Sequence, residues 1–504
     1  MHEVAIVGAG FGGLGMAIRL RQEGVEDFVV IERDDDVGGT WWANSYPGCQ
    51  CDIPSNLYSF SFAPNPDWDR AYPMRDQIHE YMRDCAERFG VMPKIRLGCE
   101  LLDARWVADR QHWELETSTG PLVARVLISA PGLLSEPSTP ALPGLESFRG
   151  HAFHTANWDH SGDLIGKRVA LIGSGASGVQ VVPEIQPTVG KLHLFQRTPP
   201  WVIPHTDHAV ARGMRELYRR VPFLQTLSRA SVYAMRETMA VGITRDRRWL
   251  KWMELNARLH LRRQVPDPEL RERLTPDYEI FCKRIILSDR WYPALQAPNV
   301  ELVSSGISEV REHSIVDGDG VEREIDTLIL ATGFKPAELP IAERIRGRAG
   351  SSLAEVWDGS PEAYLGTTVT GFPNLLFLYG PNLNTGHSSV VYMLESQIAY
   401  ALDALHTMRR TGAAEFDVRP EVQAAYNEEI QSRLQTTVWN TGGCASWYFD
   451  RNGRNSIMWP GFTFEYRRRT RQFDAAAYRL AAAVPEATAS GTASASAASA
   501  APAA

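Results

Sequence analysis

Two stretches constrain this chain more than any others. Residues 4–13 read VAIVGAGFGG and residues 168–178 read RVALIGSGASG; each is an apolar run that turns into a glycine loop and then into helical sequence. In the first, Gly8, Gly10 and Gly13 allow a tight turn, close approach of a pyrophosphate to backbone amides, and close strand–helix packing. The helix N-terminus then faces the negative charge. A second strand at 28–31 ends in Glu32, whose carboxylate can accept from both hydroxyls of a ribose. The plain alternative is a glycine turn in some other strand–helix–strand unit; strand, loop, helix and acid in register weigh against it. Gly173, Gly175 and Gly178 repeat the spacing, so one chain holds two nucleotide sites.

The second loop differs at its acid. The strand at 191–195 ends in Gln196, Arg197 and Thr198. An arginine there can hold the 2′-phosphate of NADP, which an acid would repel, so NADPH is favoured over NADH. Taken alone, Arg197 reads equally well as the cap of a strand edge. Lys283 offers a second cation.

At 504 residues, 44% hydrophobic and 22% charged, the chain has room for two or three domains and the composition of a soluble globular protein. Sixty acidic against 52 basic residues leave a formal charge of −8, which argues against nucleic acid as a partner. No apolar run is long enough to span a bilayer, and the first strand begins too close to Met1 for a cleaved signal peptide, so a cytoplasmic protein without stable membrane insertion is expected. Cys49, Cys51, Cys85, Cys99, Cys282 and Cys444 lack zinc-ligand spacing and are expected to be reduced thiols, with no metal site. Cys49 and Cys51 are too close for a CxxC redox pair.

The expected fold is α/β: two Rossmann-like dinucleotide-binding domains with a helical insertion in the second. Residues 1–145 and 371–485 read as the first domain, made discontinuous because GFPNLLFLYGPNLNTG (371–386) returns to it. Residues 146–206 and 276–370 read as the second, which closes at Gly333 in DTLILATGF (326–334). Apolar residues spaced by three and four, among them Leu217, Val221, Leu224 and Leu227, make 207–275 the helical insertion, its charged faces expected to be solvated. Residues 486–504 read as a disordered Ala/Ser-rich tail.

Between the loops, residues 148–159 read FRGHAFHTANWD. The stretch is too rich in aromatics and histidine for a plain linker. Phe148, Gly150, His154, Trp158 and Asp159 resemble the fingerprint of the type I Baeyer–Villiger monooxygenases, FAD- and NADPH-dependent flavoproteins that insert oxygen beside a ketone carbonyl. The resemblance implies that NADPH reduces FAD, that O2 is captured as a C4a-peroxyflavin, and that a small-molecule ketone becomes an ester or lactone. Sulfoxidation is a further activity of such enzymes. A monomer or weak homo-oligomer is expected.

Other motifs agree. Residues 38–62, GGTWWANSYPGCQCDIPSNLYSFSF, are similar to the family's flavin-enclosing segment, where Thr40, Trp41, Trp42, Ala43, Asp52 and Tyr58 approach FAD along with Phe11 of the first loop and Leu101. Ser45 and Pro54 stand where many members carry Arg and Glu, and Trp42 and Tyr46 read more readily as core packing than as cofactor contacts. A carboxylate as apolar in its surroundings as Asp52 needs a cation or a cofactor donor. In FCKRIILSD (281–289), the resemblance puts Lys283 on the 2′-phosphate and Arg284 over the flavin, oriented by Asp52. A permanently charged guanidinium suits a site where anions form on oxygen. The plain alternative for Lys283 and Arg284 is a surface ion pair.

By the same resemblance Ser174, Ser177, Gln180 and Thr198 contact NADP, and Trp447 in SWYFDRNGRN (446–455) belongs to a segment that closes over it. The turn at 450–453 departs from the family pattern. His154 and Trp158 are expected to anchor the interdomain connector and not to act as acid or base. Two rivals remain: an N- or S-oxygenating flavin monooxygenase, whose fingerprint does not end in Trp-Asp, and an NADPH-dependent flavin reductase, which needs neither Arg284 nor the fingerprint.

Overall fold

The computed structural model describes residues 1–484; the stretch 486–504 read as a tail lies outside the described residues. Two separate sheets carry the α/β architecture. The first is organised on the strand His2–Val7, paired in parallel with Phe28–Ile31 on one side and Leu122–Ser129 on the other. Residues 4–7 and Phe28–Ile31 read as unbroken apolar runs because both faces are covered there. Leu122–Ser129 runs antiparallel to His112–Thr117, which pairs with Leu101–Val107, and also takes Leu375–Phe377 in parallel. By its alternation the sequence at 94–128 reads as a small β element of its own, but its strands belong to the main sheet. Alternation reports one covered face, not which strand lies alongside.

The second sheet is parallel throughout, in the order Val300–Val303, Lys191–Phe195, Arg168–Ile172, Thr327–Leu330, His151–His154. The last strand was not anticipated. The stretch between the two loops is not only a connector; its middle is an edge strand hydrogen-bonded to Thr327–Leu330. Four residues are too few for a periodicity to announce a strand.

Helix packing on the first loop depends on glycines. A Cβ at Gly12 would lie 3.4 Å from Leu394, and one at Gly15 would lie 2.9 Å from Ile398. Their absence lets Phe11–Gln22 approach the long helix Val390–Thr411. That helix starts where the Ser389 side chain accepts from the Val391 amide. It ends at Gly412, in the left-handed region at φ 69°, with Arg409 and Arg410 in its last turn.

The insertion comprises Arg212–Arg220, Pro222–Thr244, Arg248–Gln264 and Pro268–Arg273. Its charges are not all solvated, contrary to expectation. Arg229 Nη1 donates to the carbonyls of Asn56 (3.0 Å) and Ser59 (2.8 Å), and Arg236 Nη2 donates to the carbonyl of Asp52 (3.1 Å). The longest inserted helix thus clamps the irregular segment 38–62, whose loop carbonyls would otherwise lack donors.

Two chain crossings join the sheets side by side. Ser138 N donates to Gly333 O (2.8 Å), Lys335 N to Glu136 O (3.0 Å) and Thr332 Oγ1 to Ser138 O (2.5 Å). Among the described residues no helix is long and apolar enough to cross a membrane.

Gly8 sits at φ 98°, and a Cβ there would lie 2.5 Å from the carbonyl oxygen of Ala130. Gly8→Ala should cost about 2 kcal/mol or more, from left-handed strain plus a backbone clash. The check is the urea midpoint of the purified protein; an unchanged midpoint would contradict this packing.

Candidate active site

Both glycine loops open onto one continuous cavity of about 1250 Å³, larger than a single drug-sized ligand requires. In the first loop a Cβ at Gly13 would sit 1.8 Å from the Gly8 carbonyl oxygen; in the second, one at Gly178 would sit 2.2 Å from that of Gly173. These glycines fasten strand to helix. Gly10 and Gly175 are the open ones: a Cβ at Gly10 meets nothing closer than 3.8 Å, and at Gly175 nothing within 4 Å. Backbone amides there are bare toward the cavity.

Glu32 lies at the end of its strand with one carboxylate oxygen accepting from Ala9 N (2.6 Å) and the other from Asp34 N (3.0 Å). Burial raises its pKa. Phe11, Thr40, Trp41, Ala43, Asp52, Tyr58 and Leu101 line the same cavity. Trp41 Nε1 donates to Tyr58 Oη (3.1 Å), and the ring of Phe11 meets that of Tyr58 edge-on, which fixes this wall. Trp42 does not line the cavity; its ring lies against Arg75 and His79. Tyr46 lines it and also donates to Gln180 Oε1 (3.0 Å).

On the opposite side are Gly173, Ser174, Gly175, Ser177, Gln180, Arg197 and Thr198. Ser174 Oγ donates to the carbonyl of Thr198 (3.3 Å), and Gln180 Nε2 donates to that of Gln50 (2.9 Å), so Gln180 stitches the first segment to the second loop. Lys283 packs its ammonium 4.9 Å above the Tyr278 ring. Burial, then the neighbouring Arg197 charge, lowers its pKa. Among the described residues neither Arg197 nor Lys283 has an ion-pair partner within 4 Å. Gln196, buried beside them and lining the cavity, has both amide atoms unpartnered.

The two halves meet at Arg284. Its Nε and Nη2 donate to Asp52 Oδ2 and Oδ1, both at 2.6 Å, and Nη1 donates to the carbonyl of Thr385 (3.1 Å). About a third of each side chain remains accessible, 30% for Arg284 and 34% for Asp52, and both line the cavity. Burial alone would raise the Asp52 pKa; the Arg284 charge and hydrogen bonds, with Arg236 behind, hold it below the ordinary carboxylate value. Burial likewise opposes the charge on Arg284, but Asp52 outweighs it and raises its pKa. Each charge favours the ionised form of the other, and the pair faces the cavity.

Trp447, 42% exposed, lines the cavity mouth against Tyr448. Two residues before Lys283, Phe281 takes a left-handed backbone at φ 70°. The expectation of six reduced thiols fails nearby: Cys282 and Cys444 form a disulfide across a sequence separation of 162, while Cys49, Cys51, Cys85 and Cys99 are free and buried. Pairing between distant cysteines leaves no local spacing signal.

The fingerprint residues Phe148, Gly150, His154, Trp158 and Asp159 stand outside the cavity lining. A Cβ at Gly150 would lie 2.4 Å from the Phe148 ring. Trp158 meets Phe153 edge-on, and Asp159 takes His151 Nε2 at 2.6 Å. His154, its pKa lowered by burial, accepts through Nδ1 from Ala156 N (3.0 Å) and so shapes the turn Thr155–Asn157. Ala156 and Asn157 of that turn do line the cavity. Sequence reasoning missed these two, and missed Arg236 and Thr385. Arg236 had a signal, since Gln225, Arg229, Tyr233, Arg236 and Ala240 follow a helical spacing with polar residues on the inward face; a backbone carbonyl such as that of Thr385 leaves none.

The family model described as flavin-binding monooxygenase-like matches residues 1–345, and the chain belongs to that family. A Baeyer–Villiger monooxygenase of Streptomyces coelicolor is 48% identical to it over 489 residues, covering 96% of this chain and 94% of the relative. Among solved structures, cyclohexanone monooxygenase from Rhodococcus sp. Phi1 bound to NADP+ has a TM-score of 0.84 at 28% identity, over 96% of this chain and 99% of that one. The OTEMO complex with FAD and NADP has a TM-score of 0.85 at 27% identity, over 95% and 99%.

Because Asp52 titrates lower folded than unfolded, its pair with Arg284 contributes fully above the ordinary carboxylate value of about 4, and the contribution is lost as pH falls through the lower folded value. Asp52→Asn should therefore be less stable at neutral pH and lose less stability on acidification than the parent. Urea midpoints measured between neutral pH and acid check this; parallel profiles would remove the pair from the stability balance.

Proposed function

We propose that this protein is a Baeyer–Villiger monooxygenase that uses FAD, NADPH and O2 to convert a ketone to an ester or lactone. One observation carries the reading. A fixed guanidinium, locked to a carboxylate, faces a cavity onto which two nucleotide loops open. The residues present fit both cofactors. Gly10 and Gly175 leave bare amides where pyrophosphates bind, Glu32 keeps lone pairs for ribose hydroxyls, and the orphaned amide of Gln196 awaits a polar partner. Two unpaired cations, Arg197 and Lys283, crowd together at a cost that a dianionic phosphate would relieve.

When bound, FAD supplies the redox and oxygen-activating chemistry that side chains lack. The protein's part is positioning and charge. Phe11, Trp41 and Tyr58 form a rigid aromatic wall on the flavin side. Arg197, Thr198 and Lys283 hold the nicotinamide nucleotide by its phosphate, with Ser174, Ser177 and Gln180 lining its approach. Arg284, whose guanidinium keeps its charge, stabilises negative charge as it develops on the carbonyl oxygen of the attacked ketone. Asp52 keeps the guanidinium plane fixed, and Arg236 and Thr385 fix Asp52 and Arg284 in turn. Trp447 shields the mouth from water.

The division into a FAD-binding part (1–145, 371–485), an NADP-binding part (146–206, 276–370) and the insertion (207–275) is part of this proposal, as are a cytoplasmic location and a monomeric or weakly associated state. The paired crossings near Ser138 and Gly333 support the seam, and the short strand Ile345–Arg346 reaches back across it to Leu101–Val107.

Incubating the FAD-loaded protein with NADPH, O2 and a panel of linear, cyclic and aryl ketones should yield esters or lactones carrying one oxygen from O2; NADPH consumption with hydrogen peroxide as sole product throughout the panel would contradict the reading. Arg197→Ala should raise the KM for NADPH about tenfold or more, the loss of one charge-assisted contact, and that for NADH far less. Equal effects on both would take Arg197 off the phosphate.

A further inference from the structure

Cys282 directly precedes the two cations of the site, and Cys444 lies three residues before Trp447. Between them the disulfide joins two cavity-lining strips that are far apart in sequence: Lys283 and Arg284 on one side, and Ala445, Ser446 and Trp447 on the other. The junction is closely built. Glu279 N donates to Gly442 O (2.9 Å), and a Cβ at Gly442 would press on Cys282 Cβ at 2.8 Å. Arg247 of the insertion holds both strips at once, pairing with Glu279 (3.0 Å) and donating to Thr441 Oγ1. In the strip that follows, Gly443, Ala445 and Trp447 are exposed, while Tyr448 is buried.

We propose that Cys282 and Cys444 form a thiol-exchange site, a reversible covalent tether that holds the Trp447 strip against Lys283 and Arg284 when oxidised and releases it when a dithiol reduces the bond. This rests on the reading of Trp447 and Lys283 as nucleotide-site residues. The exposures of the two sulfurs set the direction of exchange. Cys282 is fully buried and Cys444 partly exposed, so an incoming thiolate attacks Cys444 Sγ and the Cys282 thiolate leaves and takes a proton. The second thiolate of the reductant then attacks the reductant's own sulfur in the mixed disulfide, closing its ring, and the Cys444 thiolate leaves and takes a proton. The sum is two electrons and two protons to the pair, with the dithiol becoming a disulfide. In the reverse direction hydrogen peroxide, the side product of an oxygen-using flavoprotein, takes the same two electrons and leaves as two waters. The other four cysteines are buried and free. A cysteine pair bonded beside a catalytic cleft, in a chain expected to meet a reducing compartment, suits a transient bond better than a permanent staple.

The test uses the full-length, FAD-loaded protein in two states, treated with dithiothreitol or with stoichiometric hydrogen peroxide, and the Cys282→Ser/Cys444→Ser double variant alongside. Three quantities are read: the mass of a peptide linking 282 to 444 in a non-reducing digest, amide hydrogen exchange over 442–449, and the Kd for NADP+ by calorimetry. The linked peptide should appear only after oxidation. Reduction should speed exchange in that strip and weaken NADP+ binding about three- to tenfold, because the closed strip is no longer always populated. Re-oxidation should reverse both, and the double variant should resemble the reduced protein and ignore peroxide. If the linked peptide never forms, or if exchange and Kd are the same in both states, the tether is wrong. If the oxidised protein shows the linked peptide and slow exchange but binds no NADP+ at all, the nucleotide reading fails and the tether stands. A double variant that does not fold leaves the comparison of the two states of the parent protein to decide.

Discussion

The ion pair between Arg284 and Asp52 is the contact on which the other parts of the site converge. Two opposite charges enclosed by protein are tolerable only when each lone pair and each N–H finds a partner. Here the carboxylate comes from the irregular segment after the first loop and the guanidinium from the strip after the insertion. Arg236 of the longest inserted helix donates to the backbone of Asp52, and the Thr385 carbonyl, between Leu375–Phe377 and the long helix, accepts from Arg284. Four segments distant in sequence are thus held to one point. Removing either charge weakens the compensation of the other, although Arg236 stays near Asp52 and about a third of each side chain meets solvent, so the pair bears on local stability as well as on chemistry.

The rest of the architecture serves to aim two nucleotide loops at that point. Glycines at the strand–helix junctions let each helix sit close enough for its N-terminus to face the cavity. The crossings at 136–138 and 332–335 are hydrogen-bonded to one another, so the two sheets are joined there. Charge is distributed unevenly. The whole chain is acidic, yet Arg197, Lys283 and Arg284 gather in the cavity where anionic cofactor groups and developing oxyanions would lie.

Much of this was legible in the sequence, for definite reasons. Strands at 28–31 and 327–330 are short apolar runs buried along their whole length, and glycine loops mark the ends of the strands at 4–7 and 168–172. Asp52 stood out as a carboxylate in apolar surroundings, and its partner was identified by family resemblance, not by periodicity. What stayed hidden depended on long-range geometry. The strand His151–His154 is defined by its neighbour Thr327–Leu330, not by its own four residues. Arg229 and Arg236 looked like solvated charges because a helix's sequence does not say which loop will lie beneath it. The Cys282–Cys444 bond crosses most of the second half of the chain and has no spacing motif to give it away.

The claim that the guanidinium of residue 284 supports oxygen insertion, and not nucleotide binding or reduction, is tested most directly by Arg284→Ala in single-turnover experiments. The account predicts that the variant retains FAD and is bleached by NADPH anaerobically at close to the parent rate, yet yields no ester from a ketone the parent accepts once O2 is admitted. Ester formation at the parent's rate and yield would contradict it.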